Sequence, residues 1–183
     1  MTKGLGKALL VGGFAVAVAS ATPAIASTDG TFGATSQGTV VISATVPGRV
    51  KLTKLSDVTF TNVDPSVAAS DAQNVCVWSN TAGRKYTIAA TGSGASNAFT
   101  LAAGSSTVNY SVQWAQTSGQ TSGAALTSGV ALANQSSAAV AQDCGGAGAT
   151  SASLVVGIAA TELQNMTAAT AYTGTLTLLV SAQ

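Results

Sequence analysis

Short segments in which apolar and polar residues alternate recur along this chain, and they constrain its fold more than any other feature. The clearest is residues 38–46, GTVVISATV, which Pro47 and Gly48 end at once. Side chains at alternate positions of a strand point to opposite faces. One face is apolar and carries Val40, Ile42, Ala44 and Val46, whereas the other is mostly hydroxylated. The pattern predicts a strand at Thr39–Val46 with one face buried.

Further segments of the same kind follow, separated by turn residues every 8–12 positions. We predict strands near residues 49–53, 57–62, 73–80, 85–91, 98–102, 108–114, 125–127, 152–158 and 173–181, with one helical turn at 160–164. Two neighbouring pairs, 73–80 with 85–91 and 98–102 with 108–114, are predicted hairpins. About eight or nine short strands and almost no helix predict an all-β fold, an antiparallel β-sandwich of immunoglobulin-like type over residues 47–183.

The amino terminus has the features of a cleaved export signal. Lys3 and Lys7 precede an apolar run at residues 8–21, and Ala24-Ile25-Ala26 ends it as a small-residue cleavage site. The run is too short to span a membrane comfortably. We therefore expect residues 1–26 to be removed, residues 27–38 to form a flexible leader, and the protein to be exported through the inner membrane.

The two cysteines, Cys76 and Cys144, are the only ones in the chain. In an exported protein an even pair predicts a disulfide, and no C-x-x-C redox motif is present.

The composition excludes several classes of function. The chain has no histidine, which removes Ser-His-Asp and Cys-His catalysis and the commonest metal ligand. With a net charge of +1 and 7% charged residues, nothing indicates binding to nucleic acid or to an anionic membrane. We expect no enzyme activity, no cofactor and no metal. Among the aromatic residues, Trp78 is expected to pack against the disulfide, and Trp114, at a strand end, is the better candidate for an exposed ring.

Three segments together resemble the subunits of bacterial chaperone–usher pili, especially the archaic branch related to spore coat protein U. The first is the alternating strand directly behind the signal peptide. The second is VCVWSNTAGRKYTIAATGSG, with Cys76, Gly83, Tyr86 and Thr87 in the positions of a pilin hairpin. The third is the ending A-Y-x-G-x-L-x-L-x-V, which runs from Ala171 to Val180.

The resemblance implies a sandwich that lacks one strand and is completed by a strand donated from the next subunit. The groove of a neighbouring subunit would then be filled by Val40, Ile42, Ala44 and Val46. That groove would be bordered by Leu176, Leu178 and Val180. It further implies that subunits assemble head-to-tail into a pilus or fimbria that supports adhesion or biofilm. A periplasmic chaperone would carry each subunit to an outer-membrane usher, and the fibre would lie at the cell surface. Many of these pilins bond the hairpin cysteine to one just after the donor strand. Here that region reads Arg49-Val50-Lys51, so the family's disulfide pattern does not apply.

A second interpretation remains open. Residues 39–46 can instead form the first strand of a self-contained sandwich, since first strands alternate in any such fold. The protein would then be a monomeric secreted module that binds carbohydrate or another surface ligand through exposed aromatic rings. The sequence does not decide whether residues 39–46 pair within their own chain or with another copy.

Overall fold

A computed structural model describes residues 26–183 of the chain. These residues fall into two parts, a short one that ends at Thr45 and a larger one from Val46 to Gln183. The predicted signal peptide lies outside the described residues except for Ala26.

The larger part contains ten strands and one short helix. The strands are β1 (Val50–Thr53), β2 (Ala69–Ser79), β3 (Lys85–Gly92), β4 (Thr100–Ala103), β5 (Ser106–Asn109), β6 (Ser111–Ala115), β7 (Ala124–Ala125), β8 (Leu132–Ser136), β9 (Ala152–Ile158) and β10 (Leu176–Ala182), and the helix is α1 (Ala160–Gln164). A five-stranded sheet has the order β1-β2-β9-β6-β7, a three-stranded sheet the order β10-β3-β8, and β4 pairs with β5. All the pairings are antiparallel, and the predicted all-β sandwich is confirmed.

The two larger sheets share one hydrophobic core. The five-stranded sheet contributes Val75 and Val77 of β2, Val112 and Trp114 of β6, and most of β9, which is its central strand. Tyr86, Ile88 and Ala90, which alternate along β3, enter the same core from the other sheet. Because β9 is covered on both faces, it has a nearly continuous apolar sequence, ASLVVGI.

The first predicted hairpin is wrong. β2 and β3 follow one another along the chain but lie in different sheets. Between them the chain makes a 3₁₀ turn at Ala82–Arg84, where Gly83 has a φ of 67°. The hydroxyl groups of Ser79 and Thr81 donate to the Lys85 carbonyl at 2.9 and 2.7 Å, so this carbonyl is bonded by side chains at the crossing. The alternation of each strand was correctly interpreted, but their mutual pairing was not.

The second predicted hairpin is correct only in its first half. β4 pairs with β5, but the chain then passes to β6, which pairs with β9 in the five-stranded sheet. Tyr110 lies between the end of β5 and the start of β6, and its N–H donates to the Phe99 carbonyl at 2.9 Å. Val108, Tyr110, Val112 and Trp114, which alternate along the sequence, are all buried.

Two other predicted strands have no strand partner within residues 26–183. Residues 54–63 contain no strand, although Val58 and Phe60 still turn toward the core. Residues 40–49 contain none either, and Thr39 makes only an isolated bridge with Thr28. Alternation along one segment specifies its two faces, but a strand also needs a neighbouring edge to pair with.

The predicted disulfide between Cys76 and Cys144 is confirmed. Cys76 lies on β2 in the core, and Cys144 lies in a glycine-rich loop. The Lys54 ammonium donates to the carbonyls of Gly146 and Ala149 in the same loop, which provides a second attachment. The bond thus joins a long loop to the central sheet across a separation of 68 residues.

We predict that reducing this disulfide lowers the free energy of unfolding by about 4 kcal/mol, since a loop of this length is no longer closed in the unfolded chain. Urea denaturation with and without reductant measures the difference. The variant with both Cys76→Ala and Cys144→Ala serves as a control and should not respond to reductant. An unchanged midpoint in protein whose thiols are shown to be free would contradict the prediction.

Candidate functional site

The two larger sheets each end in a strand that is paired on one side only. β10 pairs with β3, and β1 pairs with β2, and within residues 26–183 no strand pairs with the other side of either. A Cβ atom on Gly48 would lie 3.4 Å from that of Ala182, so the chain enters β1 beside the end of β10. From there residues 54–63 diverge without joining a sheet.

A cleft of about 750 Å³ lies where the edges separate. One wall is formed by residues 55–61 with Val63, and the other by residues 170–176 with Leu178. The base is formed by Tyr110 and by Leu154, Val156 and Ile158 of β9. The cleft therefore opens onto the hydrophobic core.

β10 presents alternate side chains to this region. Leu176, Leu178 and Val180 are half-buried against the core, whereas Thr177, Leu179 and Ser181 are exposed. Of the three residues expected to border a groove, Leu176 and Leu178 line the cleft, and Val180 packs beside it without lining it.

Residues 40–46, the candidate donor segment, expose their apolar side chains. Val40, Ile42 and Val46 are 80%, 90% and 79% exposed, and Ala44 is also exposed. The segment is preceded by a small loop that Thr28 and Thr39 close, with backbone hydrogen bonds of 3.1 and 2.9 Å in both directions. Neighbouring apolar side chains this exposed are typical of interaction sites.

Helix α1 brings Leu163, and with it the following Met166, to the lining of the cleft. The Glu162 carboxylate accepts from the Asn109 side chain at 3.0 Å and from its backbone N–H at 2.7 Å. These hydrogen bonds from Asn109 hold the pKa of Glu162 below its usual value. No local pattern in the sequence pairs Glu162 with a residue on β5.

The expectation of an exposed Trp114 is wrong. Its side chain is 1% exposed, its ring meets Tyr86 edge-on at 6.5 Å, and its Nε1–H donates to the Tyr86 hydroxyl at 3.1 Å. Trp78 is half-buried and donates to the Val140 carbonyl at 3.3 Å. The alternation that put Trp114 on the Val112 face outweighs its position at a strand end.

A second, shallower depression near Trp114 is lined mainly by polar residues, among them Gln116, Gln120 and Asn134. The Gln116 side-chain carbonyl already accepts from the Ser136 N–H at 2.9 Å, and the Asn134 side-chain carbonyl accepts from the Gln183 side-chain amide at 3.2 Å. These amides stabilise the surrounding loops, and they do not converge on a ligand position.

Among residues 26–183, no helix is long and apolar enough to cross a membrane, and no three metal-ligating side chains lie together. Comparison with protein-family models and with curated proteins finds no match. The chemistry of the cleft therefore provides the basis for assigning a function.

Two buried tyrosines predict an alkaline limit to stability. Burial raises the pKa of both Tyr86 and Tyr110. Each is protonated in the folded state while its unfolded counterpart ionises above about pH 10, so stability that is present below that pH is lost as the pH rises through the raised pKa. Half-buried Tyr172 acts in the opposite sense, because a hydrogen bond from the Thr167 N–H lowers its pKa.

We predict that the unfolding free energy falls more steeply above pH 10 in the parent than in a variant with Tyr86→Phe and Tyr110→Phe. Urea denaturation between pH 9 and pH 11.5 measures the slope, and each single variant should remove part of it. Equal slopes in the parent and the double variant would contradict the assignment.

Proposed function

We propose that this protein is a structural subunit of an exported surface fibre, in which residues 39–46 of one copy enter the cleft of the next as a donated strand. The observation that carries the proposal is that one chain has both parts of a joint. It has an apolar cleft beside an unpaired sheet edge, and it has an apolar segment outside the sheets.

Backbone geometry supports the fit. A strand laid against the outer side of β10 would complete that strand's main-chain hydrogen bonds, which is the usual mode of β-strand addition. Side chains on one face of a strand recur about every 6.8 Å. Val40, Ile42, Ala44 and Val46 would therefore enter the cleft at the same spacing at which Leu176 and Leu178 line it.

The energetics favour the same arrangement. Full burial of a Val or Ile side chain contributes roughly 1.5–3 kcal/mol relative to exposure. Three of the four side chains, Val40, Ile42 and Val46, are at least 79% exposed, so most of that contribution is available on insertion. The hydroxylated face, which includes Ser43 and Thr45, would remain in water.

The symmetry of such a joint produces a fibre. The cleft of one copy contacts a different surface of the next, and a head-to-tail contact that does not close generates an open filament. The sandwich is then an incomplete immunoglobulin-like fold that each neighbour completes.

Export and assembly follow from the same chemistry. A bare apolar cleft beside an unpaired edge promotes aggregation, so it must be covered in transit. The resemblance to chaperone–usher pilins supplies the partners that we propose: a periplasmic chaperone, an outer-membrane usher and other copies of this chain. Adhesion or biofilm support would be the role of the fibre at the cell surface.

The alternative, a monomeric module that binds carbohydrate, loses its main support. Trp114, the candidate for an exposed ring, is buried, and so is Tyr110. The monomeric module remains an outcome of the test below.

We predict a ladder of oligomers on a denaturing gel that collapses to one band only after boiling, and thin fibres in electron micrographs of cell-surface and culture fractions. Ile42→Asp should abolish both while leaving export and the disulfide intact, because a carboxylate cannot enter the apolar cleft without a large desolvation cost. Ser43→Asp, one position along and on the opposite face, is the matched control and should still assemble.

A single unboiled band without fibres from the parent protein would remove the fibre proposal and leave the monomeric module. Assembly of Ile42→Asp as efficient as that of Ser43→Asp would show that fibres form without insertion of this segment.

A further inference from the structure

One residue that lines the cleft has a polar group whose hydrogen-bonding capacity is not used. Tyr110 is 8% exposed, its ring lies 5.6 Å from that of Phe99, and it forms part of the base of the cleft. Its hydroxyl oxygen is buried, and no group within residues 26–183 hydrogen-bonds to it. Thr53 has the only other such side-chain atom among these residues, and Thr53 does not line the cleft.

The other buried tyrosine shows what is missing. The hydroxyl of Tyr86 accepts from the Trp114 indole at 3.1 Å inside the same core. Nearly all buried polar side-chain groups in proteins have such a partner, and an unpaired one destabilises the fold. A phenol O–H buried at the base of an apolar cleft is therefore a position where an incoming ligand with a hydrogen-bond acceptor is favoured.

We propose that Tyr110 is a specificity-determining residue of the cleft and donates a hydrogen bond to the main chain of the inserted strand. This inference rests on the proposed function, which identifies residues 39–46 of a second copy as the occupant. The inward face of that segment consists of Val40, Ile42, Ala44 and Val46, none of which has a side-chain acceptor. The acceptor is therefore a backbone carbonyl.

The position of the contact follows from side-chain size. Ala44 is the one short residue on the inward face, so the strand's backbone approaches the base of the cleft most closely there. Because the Tyr110 hydroxyl oxygen is buried, a neighbouring side chain must shift to admit the carbonyl. Met166, which is unbranched and lines the same cleft, is the most adaptable of the lining residues. Ala44 opposite Tyr110 then sets the register of the joint.

The inference predicts effects of opposite sign on the free and the occupied subunit. Tyr110→Phe removes an unpaired hydroxyl from the free subunit and should raise its unfolding temperature. The same change removes a hydrogen bond from the complex and should weaken strand binding by about tenfold. A purely structural tyrosine would not combine these two effects.

The protein that binds the peptide in this test, called the acceptor subunit or acceptor below, is the full chain with Ile42→Asp. Its own residues 39–46 cannot occupy a cleft. A synthetic peptide of residues 37–48 is the probe, and its affinity is measured by calorimetry for this acceptor with Tyr110, with Tyr110→Phe and with Tyr86→Phe. Tyr86→Phe is the matched control. It removes the hydroxyl that accepts the hydrogen bond from the Trp114 N–H, so it should lower the unfolding temperature and leave the peptide affinity unchanged.

A second peptide, carrying Ala44→Leu, tests the register. It should bind the Tyr110 acceptor about tenfold more weakly than the unmodified peptide does, and it should lose much less affinity for the Tyr110→Phe acceptor. Equal losses on the two acceptors would overturn the placement of Ala44 over Tyr110.

Equal affinity of the unmodified peptide for the Tyr110 and Tyr110→Phe acceptors would overturn the role of the hydroxyl and leave the proposed function intact. A Tyr110→Phe acceptor that is destabilised as Tyr86→Phe is would also overturn it. Absence of peptide binding to every acceptor would overturn the donated strand itself and this inference with it.

Discussion

The organisation of this protein depends on a strand edge that the described chain does not pair. β10 bonds to β3 on one side, and the cleft beside its other side reaches the central strand β9. A sheet edge above an apolar cleft is costly to leave in water, because unpaired amides and apolar side chains are exposed together. Natural sandwiches cover such an edge, and we propose that residues 39–46 of another copy, which expose Val40, Ile42 and Val46, cover it here. The disulfide and the Glu162–Asn109 hydrogen bonds hold the rest of the fold in place around the cleft.

Much of the fold was predictable because burial imposes a period of two on each strand. The inward residues of β3, β6 and β10, the strand β9, the helical turn α1 and the disulfide all follow from local patterns or from counting cysteines. The sequence also identified which side chains of residues 40–46 form the apolar face. What the pattern lacks is the identity of the neighbour, since any alternating segment can pair with any edge.

The errors share this cause. β2 and β3 looked like a hairpin, yet a turn bonded by Ser79 and Thr81 carries the chain from one sheet to the other. Residues 57–62 alternate correctly but form a cleft wall, and Trp114 is held inside by Tyr86 across 28 positions of sequence. Tyr110 could be assigned to the core from its alternation with Val108 and Val112. That its hydroxyl lacks a partner depends on every surrounding element, and no local pattern contains that information.

The most direct test is a photo-crosslink from inside the cleft. Phe60 lines one wall and is only half-buried, so we choose it for replacement by the photoreactive benzoylphenylalanine. After irradiation of assembled material, reduction and boiling, the account predicts crosslinked dimers and higher species. Mass spectrometry of their digests should join position 60 of one copy to residues 39–46 of another. Crosslinks confined to monomers would place the segment in its own chain, and dimers joined elsewhere would contradict strand donation.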